Sequence, residues 1–509
     1  MDFAYPVLSS LIWFPLAAAV MLFFIRDDAV VRKYTLVVGL IELALAFPLT
    51  GFQSNAAFQF VERIAWVPQW GLEYHLAVDG ISILLVWITL FTLPLCVLCS
   101  WKSIQKRVRA FHACLLIMTA VSVGIFTALD LVLFYVFWEA MIIPFYLFVA
   151  VWGEDQRRYA SIKYVLYAVA GSALFLVAIV AFRIVGGTFS IPDLMNQDFP
   201  LDFQILCFIA MALTFAVKAP LVPVHGWLPT MHMQAPAACS VLLGSLKMGT
   251  YGFIRFCLPL APAASDVLAP AMIVLAIISI IYGGAVALAQ SDVKKIIAYS
   301  TICHMGFVVL GLFLFNQQGA QGAMFQMVNQ GIITGSLFLM IGVVYERSHS
   351  RDINKTLGMG KYMPAFMFFW GLFSLASFGF PGTNGFVGEI LIFVGGFKHS
   401  LTVGLFLVIG GLLSTAYMFR IGLRMAWGAP STAANWKDLA RREWAIMLIP
   451  AVMVIYLGLA PSMFLKMITP ATEGALTGVQ QRKAALHLDG QPTPSQALAS
   501  VAGVQIVQN

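Results

Sequence analysis

Four ionisable residues stand where ionisable residues are costly. Glu139 lies in LFYVFWEAMIIPFY, Lys218 in FIAMALTFAVKAPLVPVHGW, Lys247 in SVLLGSLKMGTYGF and Glu389 in FGFPGTNGFVGEILIF. A charge at mid-bilayer costs about 2.5–3.5 kcal/mol on insertion scales, so it persists where it faces a bundle interior or a water-filled path. A set of buried ion pairs that merely fixes packing is one reading. Four such groups on four different apolar runs favour the other, a route for ions or protons. The chemistry suits protons. A lysine drawn out of water holds its proton less tightly, and a nearby carboxylate restores its grip. A Glu–Lys pair can therefore switch a lysine between holding and releasing a proton. A second lysine can accept that proton, and a terminal acid can hand it to water. Glu139, Lys218, Lys247 and Glu389 supply those roles in chain order.

Other polar groups carry weaker signals. His304, in YSTICHMGF, is a candidate relay, because a neutral imidazole passes protons near physiological pH. Its plainer reading is a core histidine bonded to a backbone carbonyl. His225 and His232 fit a proton intake and a wet interface equally well. Glu42, inside the second apolar run, reads as a packing or subunit-contact residue. Lys163 and Asp79 fall at span ends, where a lysine snorkels by default. Asp292, Lys294 and Lys295 read as a solvated loop cluster. Cys96 and Cys99 form a CxxC, but inside a hydrophobic stretch ending at Trp101. Two small core residues at adjacent turns explain them better than redox or metal chemistry.

The elements that must hold these groups are membrane helices. The chain has 509 residues, 61% of them hydrophobic and 10% charged, with a mean hydropathy of +0.88. Soluble chains carry roughly 25% charged residues. Apolar runs near twenty residues recur and predict an all-α polytopic membrane protein of about 14 transmembrane helices. The run before Arg26 is read as a retained first span, since Asp2 and the lack of basic residues ahead of it argue against a signal peptide. The last predicted span is Trp444–Phe464, followed after about Ala471 by a polar tail, disordered or in contact with a neighbouring chain.

Basic residues set the predicted orientation. About 21 Lys and Arg fall in loops on one side and about 7 on the other, Arg63, Arg183 and Arg255 among them. The positive-inside rule places the richer side in the cytoplasm and both termini outside. That bias also accounts for the net charge of +7 without nucleic acid.

Three predicted spans are interrupted: the seventh, Phe203–Val224, the eighth, Met233–Phe256, and the twelfth, Pro364–Gly395. Pro220, Pro223 and Pro229 follow Lys218, and Phe380-Pro381-Gly382-Thr383 precedes Glu389. Unwound backbone at membrane depth is tolerated only when buried in protein or lining a cavity. Paired broken helices in two halves point to an inverted-repeat transporter. The expected division is an N-terminal three-helix segment over 1–110, a first five-helix repeat over 111–256, a second, inverted repeat over 257–424, and a last helix with its tail over 425–509.

With those residues in view, a resemblance is plain. The four stretches quoted above, with QAPAACSVLLGSLKMGTYGFIRF and QSDVKKIIAYSTICHMGF, are similar to shared motifs of the antiporter-like subunits of NADH:quinone oxidoreductase, respiratory complex I. They resemble the M-type members most, from about His75 to Arg424. The resemblance implies two inverted five-helix repeats with discontinuous seventh and twelfth helices, and proton translocation driven by quinone chemistry elsewhere in the complex. It puts the family's acid of the fifth span at Glu139, its broken-helix lysine at Lys218, its central lysine at Lys247 and its terminal group at Glu389, where L-type and N-type chains carry lysine. It implies NADH, FMN, iron–sulfur clusters and quinone on partner subunits and none on this chain. The implied neighbours are L-type and N-type subunits, in a bacterial inner membrane. No CxxCH, cysteine-rich run or dinucleotide glycine fingerprint is present. Two departures stand out. Asn329-Gln330-Gly331 replaces a usual His-Gly pair, and glutamine takes no proton near neutral pH. The eighth-span motif reads QAPA where QAPT or EAPT is usual. The rivals are a subunit of a multisubunit cation/proton antiporter, of a proton-linked hydrogenase or carbon-uptake complex, or a structural bundle that has lost pumping.

Overall fold

The computed structural model describes residues 5–488, apart from 56, 356 and 428–435. Among the described residues, thirteen helical stretches are long and apolar enough to cross a membrane, from Val7–Phe24 to Arg441–Leu459. The remaining predicted span, the twelfth, is split into Pro364–Ser377 and Asn384–His399. The most enclosed spans are the third, Ile83–Ser103, the fourth, Val108–Thr127, the eighth, Ala237–Leu260, the tenth, Val293–Phe313, and the eleventh, Gln317–Ser348. They form the middle of the bundle. The sixth, Arg157–Gly186, and the thirteenth, Leu401–Ala426, leave most of their surface outward, as lipid-facing helices do.

Four helices break, and each break has a local cause. The seventh span, Leu201–Lys218, stops at Lys218 and resumes as Trp227–Gln234. Pro220 and Pro223 between them cannot donate to a continuing helix. The eighth ends its first part at Ser245, passes through extended Leu246, and restarts at Met248. A π-helical turn, Phe253–Cys257, follows. The twelfth breaks over 378–383, where Gly379 and Gly382 take positive φ. The fifth, Leu131–Trp152, parts at Met141, a break the sequence reading did not expect. Pro144 lacks the N–H that would satisfy the carbonyl four residues back.

One face carries structure that the helical expectation omitted. Strands Gln59–Val67 and Leu72–Val78 pair antiparallel as a hairpin, closed at Gly71, whose φ is +70°. The third span therefore begins at Ile83, after a strand and a turn. The last span ends at Leu459, short of the expected Phe464, and a separate helix, Pro461–Leu488, follows. It packs on the ninth and eleventh spans. The Thr469 hydroxyl accepts a 2.7 Å hydrogen bond from Gln321. Met467 brings its carbonyl against Gly80, where a β-carbon would lie 2.1 Å away. The expected polar tail is thus helical to Leu488, and 489–509 lie outside the described residues.

Two expectations about charges are corrected here. Arg255 is not in a loop, and Asp79, at the expected span end before Ile83, is buried there. Arg255 donates to both Asp79 carboxylate oxygens, at 2.8 and 2.5 Å, and to the Tyr251 hydroxyl at 3.0 Å. Both members of the pair are buried. Nor are Asp292, Lys294 and Lys295 all solvated. Asp292 caps the tenth span by accepting from the amides of Lys294 and Lys295. Lys294 is buried, with its ammonium donating to the Ala235 carbonyl at 2.6 Å.

Candidate functional site

Lys218 is the final residue of its half-helix, where the partial negative charge of the helix end favours a cation. Its ammonium donates to the Tyr164 hydroxyl at 3.2 Å. It also sits 5.5 Å from the centre of the Trp138 ring and 5.1 Å from that of Tyr164. Both distances suit cation–π attraction. Glu139 follows Trp138 and is the carboxylate that acts electrostatically on Lys218. Among the described residues Glu139 makes no direct ion pair, and one of its oxygens is buried without a hydrogen-bond partner.

Lys247 occupies the break in the eighth span. It is only 4% exposed, and its ammonium has no protein hydrogen-bond partner. It shares a cavity of about 40 Å3 with Lys218, also lined by Tyr164, Thr250 and Thr301. That is room for water, which needs some 10–15 Å3 and polar neighbours. Gly249 brings the two breaks together. A β-carbon there would stand 2.3 Å from the Ala219 nitrogen and 2.6 Å from the Lys218 carbonyl carbon.

Glu389 lies after the twelfth break, 6% exposed. The Gln326 amide donates to one of its oxygens at 3.3 Å. His304 Nδ1 is 3.4 Å from the same oxygen, near enough for charge attraction, though not aligned as a hydrogen bond. The other ring nitrogen of His304 meets the Tyr417 hydroxyl at 3.2 Å. The second Glu389 oxygen rests against Gly379, where a β-carbon would lie 2.5 Å from it. Asn329 donates to Gln326 at 3.3 Å and to the Asn384 carbonyl at 2.7 Å. Gln330 accepts from Thr334 at 3.1 Å, while its own amide nitrogen has no partner.

The structure thus brings Glu139, Lys218 and Lys247 into one group and Glu389 and His304 into another. The tenth span joins them: Thr301 lines the lysine cavity, and His304 follows three residues on, on the same helix face. Gln326 and Tyr417 were missed in the sequence. Gln326 had a signal, being an amide in the apolar stretch AMFQMVNQG, whereas nothing near Tyr417 pointed at His304.

The remaining candidates resolve plainly. His232 is fully buried and stacked on Phe338 at 4.3 Å, which removes the wet-interface reading for it. Half-buried His225 meets the Tyr282 ring edge-on at 5.0 Å. Lys163 donates to the Thr230 hydroxyl. Glu42 is fully buried inside the chain with neither oxygen partnered, so it is not a subunit contact. Cys96 and Cys99 are free and buried.

Comparison with known proteins adds to this geometry. Residues 128–414 match the family model described as NADH:quinone oxidoreductase/Mrp antiporter, TM. The chain is 42% identical to the NADH-quinone oxidoreductase subunit M of Rhodobacter capsulatus, over 91% of this chain and 95% of that one. A chain of respiratory complex I from Thermus thermophilus superposes with a TM-score of 0.87 at 29% identity, covering 93% of this chain and 99% of that one. A chain of the Mrp complex from Dietzia gives a TM-score of 0.82 at 20% identity, covering 93% and 99%, which is a likeness of fold.

Proposed function

This chain belongs to the M-subunit family of NADH-quinone oxidoreductase, the proton-translocating subunits of the complex I membrane arm, and we propose that its protons travel along Glu139, Lys218, Lys247 and Glu389, with His304 as the relay before the last. The observation that carries this reading is the cavity lined by both Lys218 and Lys247, two buried or half-buried lysines set side by side at helix breaks.

The steps follow from the surroundings. A charge change at Glu139 alters how firmly Lys218 holds its proton. Lys218 sits at a helix end on an aromatic floor, so its side chain can swing while its backbone stays fixed by Gly249. A water in the cavity carries the released proton to Lys247. Thr301 and His304 lead on to Glu389, where Gln326 and Tyr417 hold the acceptor geometry. The halves 111–256 and 257–424 act as two inverted repeats, each contributing one broken helix. The arginine- and lysine-rich loops face the cytoplasm of a bacterial inner membrane, and both termini lie outside. L-type and N-type subunits flank the chain. NADH, FMN, iron–sulfur clusters and quinone belong to other subunits, whose redox work drives the charge change at Glu139.

The test is replacement of Lys218 or Glu139 by alanine in the assembled complex, reconstituted into vesicles with a pH-sensitive dye. Proton uptake coupled to NADH oxidation should vanish while the complex still assembles. Full translocation by a correctly assembled variant would falsify the route.

A further inference from the structure

Between the first half of the twelfth span, Pro364–Ser377, and the thirteenth span lies a groove of about 710 Å3 that the proton route does not use. It is within the size range of ligand sites. The groove exists because two facing residues lack side chains. A β-carbon at Gly371 would meet nothing within 4 Å, and one at Gly422 would meet only the Trp370 indole nitrogen, at 4.0 Å. Phe419 and Leu423 form an outer wall and are about half exposed. The Pro364–Ser377 helix has 14 residues, about 20 Å at the usual rise. One leaflet offers about 15 Å of hydrocarbon, so a single acyl chain fits the length.

The groove is not purely apolar. Trp370 and Ser374 are 1% and 6% exposed, and neither the indole N–H nor the hydroxyl has a hydrogen-bond partner. An indole nitrogen only donates, so it needs an acceptor oxygen. Leaving such groups buried and unpaired is unfavourable. At the end of the groove nearest Pro364 stands exposed Lys361. A cation at the mouth, an indole donor part-way down and a slot beyond it match an amphiphile with an anionic head, an ester oxygen and a hydrocarbon tail.

We propose that this groove binds one anionic phospholipid. Its phosphate pairs with Lys361, an ester oxygen accepts from the Trp370 indole, and an acyl chain runs past Gly371 and Gly422 to Phe378. Phe378 opens the twelfth break, whose Gly379 touches Glu389. Bound lipid therefore braces the backbone behind the terminal acid, a consequence that rests on the proposed route, whereas the binding itself does not.

The experiment uses the assembled complex in vesicles doped with phosphatidylglycerol bearing a photoreactive acyl chain, with labelled peptides read by mass spectrometry. Peptides spanning 364–378 and 418–427 should be labelled well above those of the lipid-facing sixth span. Unlabelled phosphatidylglycerol should compete and phosphatidylcholine should not. Gly371→Leu and Gly422→Leu should lose the label, and Lys361→Gln should lose the preference for the anionic lipid. Uniform labelling, equal competition by both lipids, or an unlabelled groove filled by a neighbouring polypeptide would overturn the proposal. Should the leucine variants fail to assemble, Lys361→Gln decides alone, since that side chain is exposed. Proton pumping by that same variant separates lipid binding from the route: binding can fail while Glu139 and Lys218 remain essential.

Discussion

The two carboxylates of the proposed route live in opposite surroundings. Among the described residues Glu139 makes no direct ion pair and has an oxygen without a partner. Glu389 is gripped by Gln326, flanked by His304 and backed by the Gly379 backbone. The lysines share the looseness of the first region. Lys247 has no protein partner, and Lys218 has one hydroxyl. Weakly tied groups in low dielectric respond strongly to a nearby charge. Glu389, by contrast, has a donor amide and an imidazole against one oxygen, which limits how far its carboxylate can move. On the proposed route, the first region is the one suited to switch and the second the one suited to receive.

That contrast can be broken in order of effect. Lys247→Leu should cost most, abolishing pumping in reconstituted complex, because the proton released by Lys218 then meets no second titratable group lining the shared cavity. Retained pumping would mean that the cavity is not the path. Gly249→Val should come next. Its side chain must push the Lys218–Ala219 backbone aside, and a misplacement of about 1 Å can cost on the order of 10²-fold. A normal rate with this variant would show that the two breaks need not touch. His304→Ala should be milder, a loss of a few-fold, since Gln326 still holds Glu389. A loss as severe as at Glu139 would erase the distinction between the regions. Gln330→His should do least. It adds a titratable group beside a network that already works, so pumping should stay level or rise slightly. A marked fall would place Gln330 inside the route.

The spans were legible because their signal is local: twenty apolar residues announce themselves whatever they pack against. The seventh and twelfth breaks were legible for the same reason, through Pro220, Pro223 and the Pro381-Gly382 turn. The fifth-span break carried a signal too, Pro144, but it sits three residues beyond Met141 and is easily read as a mere kink. The hairpin was passed over since its short strands interleave charged with apolar residues between stronger apolar runs. The Asp79–Arg255 pair could not be read at all. Its partners are far apart in sequence, and each alone resembles a loop charge. Breaking it should cost about 3–5 kcal/mol of stability, the usual figure for stranding one buried ion. Of the site, the titratable members were visible as misfits in oil. Gln326 and Tyr417 were not, because an amide or a phenol in a membrane helix is an ordinary sight until its neighbour is known.

The contact of Gly80 with the Met467 carbonyl has a consequence for how the molecule is made. Gly80 leaves the ribosome early and Met467 very late, so the turn beside Asp79 stays bare during most of translation. Segments synthesised first generally fold first, yet this corner waits for the end of the message. A chain stopped short would insert nearly all its helices and still present an open seam to proteases.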